Sequence, residues 1–415
     1  MIDPRLLREN PDLIRDSLRR RGSTIDLDVL VALEAEVRAK RQEAEGMRAR
    51  QKESGRFIAT LTGAEKEAAI GEVAGLAAAV KEAVTEADNL TAEFDRVWLE
   101  VPNLVAGDAA EGQTEADSLE IKRVGTPLLE GLDHGTLGER LDIVDTARGA
   151  KVSGSRFGYI KGKGALLELS LVRWAMDHLV AEGFTPMIPP VLVREEALEG
   201  TGFFPEAREQ VYEVPRDELY LVGTSEVPLA AYHGDEILEA GSLPLRYAGF
   251  STCFRREAGT YGKDTAGIFR VHQFDKVEMF VFTTPEASIE EHDHILGIEE
   301  KLVQELEIPY RVVNIAAGDL GASAAKKYDI EAWFPGEQAY REITSCSNTT
   351  DYQARRLKVR MKTEEGNQVL HTLNGTACAV GRTIIAIVEN HQRPDGSVEI
   401  PEALRRYTGF DLIEP

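Results

Sequence analysis

The chain has 415 residues with 43% hydrophobic content, enough for a large core divided over two or three domains. Its 71 acidic and 48 basic side chains leave a formal net charge of -23, so any polyanion must be met by local basic patches, and non-specific affinity for nucleic acid should be poor. No segment approaches the roughly 20 consecutive apolar residues of a membrane span, and the charged start MIDPRLLRENPDLIRDSLRRRG lacks the apolar region of a signal peptide, so a cytoplasmic location without a membrane partner is expected.

The first predicted elements are two long helices. From Leu30, steps of three and four give Leu30, Leu33, Val37, Lys40, Ala44, Met47, Gln51, Ser54, Ile58 and Leu61, a heptad seam with a polar middle. TLTGAEKEA interrupts it, and the same stepping then runs through Val73, Leu76, Val80, Ala83, Ala87, Leu90, Phe94, Val97 and Val101. Two antiparallel helices of ~35 residues, each about 50 Å long, joined at 62–64, follow from this pattern. Arg38, Lys40, Arg41, Arg48, Arg50, Lys52 and Arg56 form a locally basic face, with Glu34, Glu36, Glu43, Glu45 and Glu53 among them. A dimerisation coil, a phosphate-binding face and a solvated helix laced with ion pairs all remain open on charge alone. Pro102 ends the second helix, and the Gly- and acid-rich PNLVAGDAAEGQTEADS links it to the remainder, which divides the chain into domains 1–103 and 104–415.

The second domain mixes periods. GALLELSLVRWAMDHLVAEG reads as a helix capped by Gly183, and FTPMIPPVLV as extended. Strand-like runs follow at LRYAGFSTCFRR, GIFRVHQFDKVEMFVFT, YRVVNIAA and HTLNGTACAVG, with few helices long enough for parallel crossovers, so an α+β domain built on a mainly antiparallel sheet with flanking helices is expected. Neither G-x-G-x-x-G nor G-x-x-x-x-G-K-[ST] occurs. Cys253, Cys346 and Cys378 stand singly, without a C-x-x-C pair, so neither a disulfide framework nor a zinc ribbon is indicated.

In CFRREAGTYGKDTAGIFRVHQFDKVEMF two predicted strands flank a charged, Gly-containing loop at 258–266. Arg255 and Arg256 lie at the mouth of one strand; Arg270, His272 and Phe274 lie on the other. A guanidinium fork matches phosphate oxygens and an aromatic ring offers a face to a base, so these groups suit a nucleotide. FRRE with RVHQF, GFTPMIPPVLV and LNGTACAVGR occur as three separate motifs, accompanied by VGTSEVPL, SGSRFGYIKG, DKVEMF, EITSCSN and IPEALRRY. Together they resemble the class II aminoacyl-tRNA synthetases, and nearly the whole chain is similar to the bacterial seryl-tRNA synthetase family. Two stretches depart from that pattern: Arg256 stands where serine is common, and NGTACAVGR replaces N-G-S-G-L-A-V-G-R.

The resemblance implies a class II catalytic domain on an antiparallel sheet, with motifs near 183–193, 253–274 and 371–390, and an N-terminal tRNA-binding coiled-coil hairpin. It implies activation of L-serine with ATP and transfer of the seryl group to tRNA(Ser), with tRNA(Sec) open as a second substrate. It further implies a homodimer with Pro190 at the interface, recognition of the long variable arm of the tRNA, and no zinc. Carried over by position, serine is held by Thr224, Ser225, Glu226, Glu278 and Thr376. ATP meets Arg255, Arg256, Glu257, Val271, Phe274, Glu342, Ile343, Thr344, Ser345 and Arg382. Phe274 and Arg382 sandwich the adenine, Arg255 and Arg382 act on the phosphates, and Glu342 and Ser345 ligate Mg2+, which takes hard oxygen donors. Tyr261, Lys263 and Asp264 are expected to meet the acceptor end of the tRNA.

Overall fold

A computed structural model describes residues 1–259 and 267–415, so Tyr261, Lys263 and Asp264 lie outside the described residues. The contacts divide the chain into two compact units, one of residues 3–19 and 23–102, the other of residues 1–2, 20–22 and 103–415.

The smaller unit is dominated by α1 (Leu27–Ile58) and α2 (Gly63–Trp98). The Asp26 carboxylate accepts from the N–H groups of Asp28 and Val29 and caps α1. The heptad seam is the buried face: Leu30, Val37 and Ala44 from α1 and Val80, Ala87 and Phe94 from α2 are buried. The Phe94 ring stacks on Trp98 at 5.6 Å. Met47, Gln51, Ser54 and Ile58, on the polar part of the seam, are only half-buried. Of the basic face, Lys40 is taken up by an inter-helix pair, its Nζ 2.9 Å from Glu86 Oε1, whereas Arg48, Arg50, Lys52 and Arg56 are exposed. α2 stops at Trp98, ahead of Pro102: Glu100 and Val101 donate three residues back, a tightened last turn, because the residue before a proline is disfavoured in α geometry.

The larger unit is built on β1 (Leu119–Val124), α3 (Lys163–Ala181), β2 (Thr185–Met187), α4 (Glu226–Ala231), β3 (Leu245–Phe254) and β4 (Gln273–Thr283). It continues through α5 (Ser288–Glu305), β5 (Tyr310–Asn314), β6 (Lys326–Phe334), β7 (Ala339–Thr350), α6 (Tyr352–Leu357), β8 (His371–Ala379) and α7 (Val380–Asn390). Among the described residues these strands form one sheet in the order β1-β5-β6-β7-β8-β4-β3-β2, antiparallel throughout except for the β2–β3 pair. The mainly antiparallel α+β expectation therefore holds. Gly183, at φ +86°, follows α3 as the predicted cap.

Two readings change. β4 begins at Gln273, opposite Phe254, so Arg270 and His272 precede the strand; the His272 N–H goes to the Arg156 carbonyl instead of a strand neighbour. β1, β6, β7, α4, α5 and α6 are not among the predicted elements. KKYDIEAWF hides a strand because Lys327, Asp329 and Glu331 occupy alternate positions yet are largely covered, where pattern reading expects solvent.

Period-two alternation splits the sheet into two faces. On β4, Val277, Met279 and Val281 point into the main core with Leu171 and Trp174 of α3, Ile295 and Leu302 of α5, and Ile384 of α7. Phe280 and Phe282 join a second cluster with Leu229 of α4 and Ala354 of α6. Phe274, Lys276 and Glu278 continue that second face toward the mouth of the sheet. Gly375 of β8 lies directly over α5: a Cβ there would meet Ile295 Cγ2 at 2.4 Å and Glu299 Oε1 at 2.9 Å. Gly375→Ala is expected to cost about 1–3 kcal/mol by overpacking, read from the midpoint of urea denaturation. An unchanged midpoint would mean that α5 can withdraw from the sheet freely.

Candidate active site

A cleft opens over the face formed by β4, β7 and β8. It is lined by Arg255, Glu257, Phe269, Arg270, Val271, Phe274, Lys276, Glu342, Ile343, Ser345, Thr376 and Arg382. Most of the residues expected to meet a nucleotide thus converge, although they come from segments more than 120 positions apart. Arg255 leaves the end of β3 with its N–H donated to the His272 carbonyl at 3.0 Å and its Nε to the Gly223 carbonyl at 3.2 Å. Its guanidinium stands 5.3 Å over the Phe274 ring. Arg382, in the first turn of α7, donates to the Glu342 carbonyl at 2.8 Å and lies 4.8 Å over Phe269. The two groups expected to sandwich a base therefore share the cleft, each stacked on a different neighbour.

Glu257 takes a left-handed backbone (φ +49°) and pairs with Arg270, Oε2 to NH1 at 2.8 Å. Arg256 does not line the cleft; its guanidinium lies 5.6 Å over Tyr212. Thr344 also departs from expectation. Its Oγ1 donates to Glu299 Oε2 at 3.2 Å, toward α5, so its side chain faces away from the cleft. The cause is the register of β7. A bulge inserts Ile343 between the pairs Ile330–Thr344 and Glu331–Glu342, so Glu342 and Ile343 both reach the cleft together with Ser345.

The predicted amino-acid residues form a second group beside this cleft. Thr224 Oγ1 donates to Glu278 Oε2 at 3.4 Å and accepts from the Glu226 N–H at 3.2 Å. Ser225 Oγ donates to the Gly249 carbonyl at 3.1 Å, which directs its hydroxyl into β3. Thr376 pairs with Glu278 across β8 and β4 and lines the cleft. Glu226 and Glu278 are both buried. Burial, reinforced by the charge of Glu278, pushes the Glu226 carboxyl up to about 7 against the pull of Gln353, Lys276 and Arg255. Burial likewise raises Glu278, opposed by Lys276, with which it is in direct contact.

Four groups were missed from sequence. Lys276 sits between Phe274 and Glu278 at period two and could have been found by that spacing. Asn374 and Gln353, the amide partners of Glu226, and Lys327 of β6 carried no local signal. Burial would raise Glu342, but Lys327, Arg382, Arg255 and Lys276 outweigh it and draw the carboxyl down to about 2. The side chain is 44% exposed at the cleft, so it stays ionised and open to a cation. The three cysteines are free and buried, and burial pushes the Cys378 thiol up to about 12.

Residues 1–105 match the model of the seryl-tRNA synthetase N-terminal domain, and residues 211–391 match that of the class II tRNA synthetase core domain (G, H, P, S and T). The serine–tRNA ligase of Thermobifida fusca is 52% identical over 100% of this chain and 99% of its own, and that of Acidothermus cellulolyticus is 52% identical over 100% of both. The chain belongs to the seryl-tRNA synthetase family. Among solved structures, the seryl-tRNA synthetase of Pyrococcus horikoshii complexed with ATP matches with a TM-score of 0.95 and 42% identity over 100% of both chains. The cytoplasmic serine–tRNA ligase of Naegleria fowleri in complex with AMP matches with a TM-score of 0.89 and 36% identity.

The Lys276–Glu278 pair gives a direct test of this family member's cleft. Lys276→Met leaves Glu278 buried without its cation and is expected to cost about 3–5 kcal/mol in urea denaturation, most of it recovered by adding Glu278→Gln. A single variant as stable as the parent would show that Glu278 takes up a proton or is reached by water once Lys276 is gone.

Proposed function

We propose that the chain activates L-serine with ATP and transfers the seryl group to the 3′ end of tRNA(Ser), with residues 1–103 serving tRNA binding and 104–415 catalysis. The observation that carries this reading is the convergence of Arg255, Phe274, Glu342, Ser345 and Arg382 in one cleft beside the buried Glu226–Glu278 pair. A phosphate-matching fork, an aromatic platform and carboxylates for an ammonium group stand together, as a bent nucleotide next to an amino acid requires.

In this reading Glu226 and Glu278 hold the serine ammonium, while Thr224 and Thr376 meet the hydroxyl. An alanine substrate would leave those hydroxyls unpaired, which is how a polar subsite rejects an analogue lacking the group. The serine carboxylate oxygen attacks the α-phosphorus and pyrophosphate departs; the terminal ribose hydroxyl of the tRNA then attacks the adenylate carbonyl and AMP leaves. Arg255 and Arg382 stabilise charge developing on the phosphates and orient them, so the protein supplies position and electrostatics more than proton transfer. Glu257 and the Val271 backbone read the adenine side. The donor set fits Mg2+: Glu342 is ionised and open, and Ser345 adds a hydroxyl on the same face. When bound there, the ion would neutralise phosphate charge. No role for zinc enters this scheme.

Assembly as a homodimer is supported by exposed apolar side chains of the larger unit. Leu166, Leu169 and Val180 lie on one face of α3, and Ile188, two residues before Pro190, is 84% exposed. Among the described residues no helix is long and apolar enough to cross a membrane, and the cytoplasm is the compartment assigned in this reading. The exposed Arg48, Arg50, Lys52 and Arg56 suit contacts to the long variable arm of the tRNA.

Serine-dependent ATP–pyrophosphate exchange tests the central reading: exchange with serine but not with alanine, threonine or cysteine is expected, and absence of exchange with all four would overturn it. Arg255→Ala is expected to lower kcat for exchange about 10²- to 10³-fold, as loss of a charge-stabilising donor does. Because burial pushes the Glu226 carboxyl up to about 7 and it binds ammonium only when ionised, the KM for serine should rise as pH falls from 8 to 6. A flat profile would mean that Glu226 stays ionised across this range or lies outside the subsite. Deleting 33–97 should preserve exchange and abolish tRNA charging; equal loss of both would assign the hairpin to folding.

A further inference from the structure

We infer that Gln353, on α6, is a positioning residue of the amino-acid subsite, held by a buried Thr349–Thr372 hydroxyl pair so that its amide fixes one oxygen of Glu226 and leaves the other for substrate. The inference rests on the assignment of Glu226 to serine above.

Gln353 is completely buried. Its Nε2 donates to Glu226 Oε1 at 2.8 Å and to the Thr201 carbonyl at 3.1 Å. Its Oε1 accepts from Thr372 Oγ1 at 2.9 Å, and Thr349 Oγ1, 2.6 Å from Thr372 Oγ1, also reaches the Thr372 carbonyl at 2.7 Å. Each hydroxyl has one proton, so Thr349 can serve Thr372 while Thr372 serves Gln353. The reversed amide would set its oxygen against the Thr201 carbonyl and a carboxylate, which leaves one orientation.

Asn374 Nδ2 donates to the same Glu226 Oε1 at 3.0 Å. With two amide donors on Oε1, the open position on Glu226, for a proton or an ammonium group, is Oε2. The charged groups acting on Glu226 are Glu278 and Lys276 of β4 and Arg255 beyond β3; Glu278 favours protonation, and the two cations oppose it. The Gln353 amide adds to the ionised side, since a donor to the charged form stabilises it. Gln353 thus governs both where the carboxylate points and the pH at which it is available.

The test is steady-state ATP–pyrophosphate exchange by the full chain, with serine and ATP varied separately between pH 6 and 9. Gln353→Met should raise the serine KM about tenfold at pH 7 with the ATP KM within about twofold, and move the acid limb of kcat/KM for serine up by about one pH unit. Thr372→Val should shift the limb in the same direction by a smaller amount and Thr372→Ser should restore it; this pair decides the matter if Gln353→Met does not fold. Equal changes in both KM values, or an unmoved acid limb, would overturn the inference and leave Gln353 a packing residue. Glu226→Gln separates the two levels. If it leaves the serine KM unchanged, the serine assignment itself fails; if it raises that KM while the Gln353 and Thr372 variants leave the limb in place, only the role of Gln353 fails.

Discussion

The larger unit is organised around the cost of burying carboxylates. Glu226 and Glu278 are both taken out of water, near enough for the charge of Glu278 to act on Glu226, and bare carboxylates so placed would neutralise themselves by taking up protons. Each is met by a different device: Lys276 lies against Glu278, and amides from α6 and β8 hold Glu226. β6 repeats the arrangement, with Lys327 Nζ 2.9 Å from Asp329 Oδ1. These pairs hold the strands in one register, because a slip of one residue would turn every buried charge toward the apolar core.

The same alternation lets one sheet serve as scaffold and site. One face of β4 packs Val277, Met279 and Val281 against helices, and that dry layer supports the other face, where Phe274, Lys276 and Glu278 stand. A rigid strand places these groups more accurately than a loop would. Where strict alternation would send Glu342 to the wrong side, the bulge at Ile343 returns it to the cleft. The opposite face pays for this closeness with Glu299, a fully buried carboxyl whose Oε2 accepts from Thr344 and whose ionisation burial pushes well up.

Much of this was legible in the chain. The hairpin seam was readable because a seven-residue repeat is local: Val37, Ala44, Val80 and Ala87 needed no knowledge of the rest of the fold. The antiparallel class followed from strands with short links, and Arg255, Phe274 and Arg382 were marked by motifs in which residue type and spacing act together. Lys276 was legible in principle, since period two places it between two residues already singled out. The partners of Glu226 were not, for Gln353 and Asn374 lie more than 120 positions away and each is an ordinary amide in an ordinary context.

The sequence by itself thus determined the local periods, the order of the motifs and the chemical types available to the site. Tertiary structure alone decided which face each type occupies and what its charge state is. Thr344 reads like its neighbours Ile343 and Ser345 but turns toward α5, and Glu342 and Glu278 are both glutamates in strands yet are shifted in opposite directions. The physical reason is that register and burial are set by long-range pairing. A one-residue bulge or a lysine arriving from another strand reverses an outcome that no local pattern encodes.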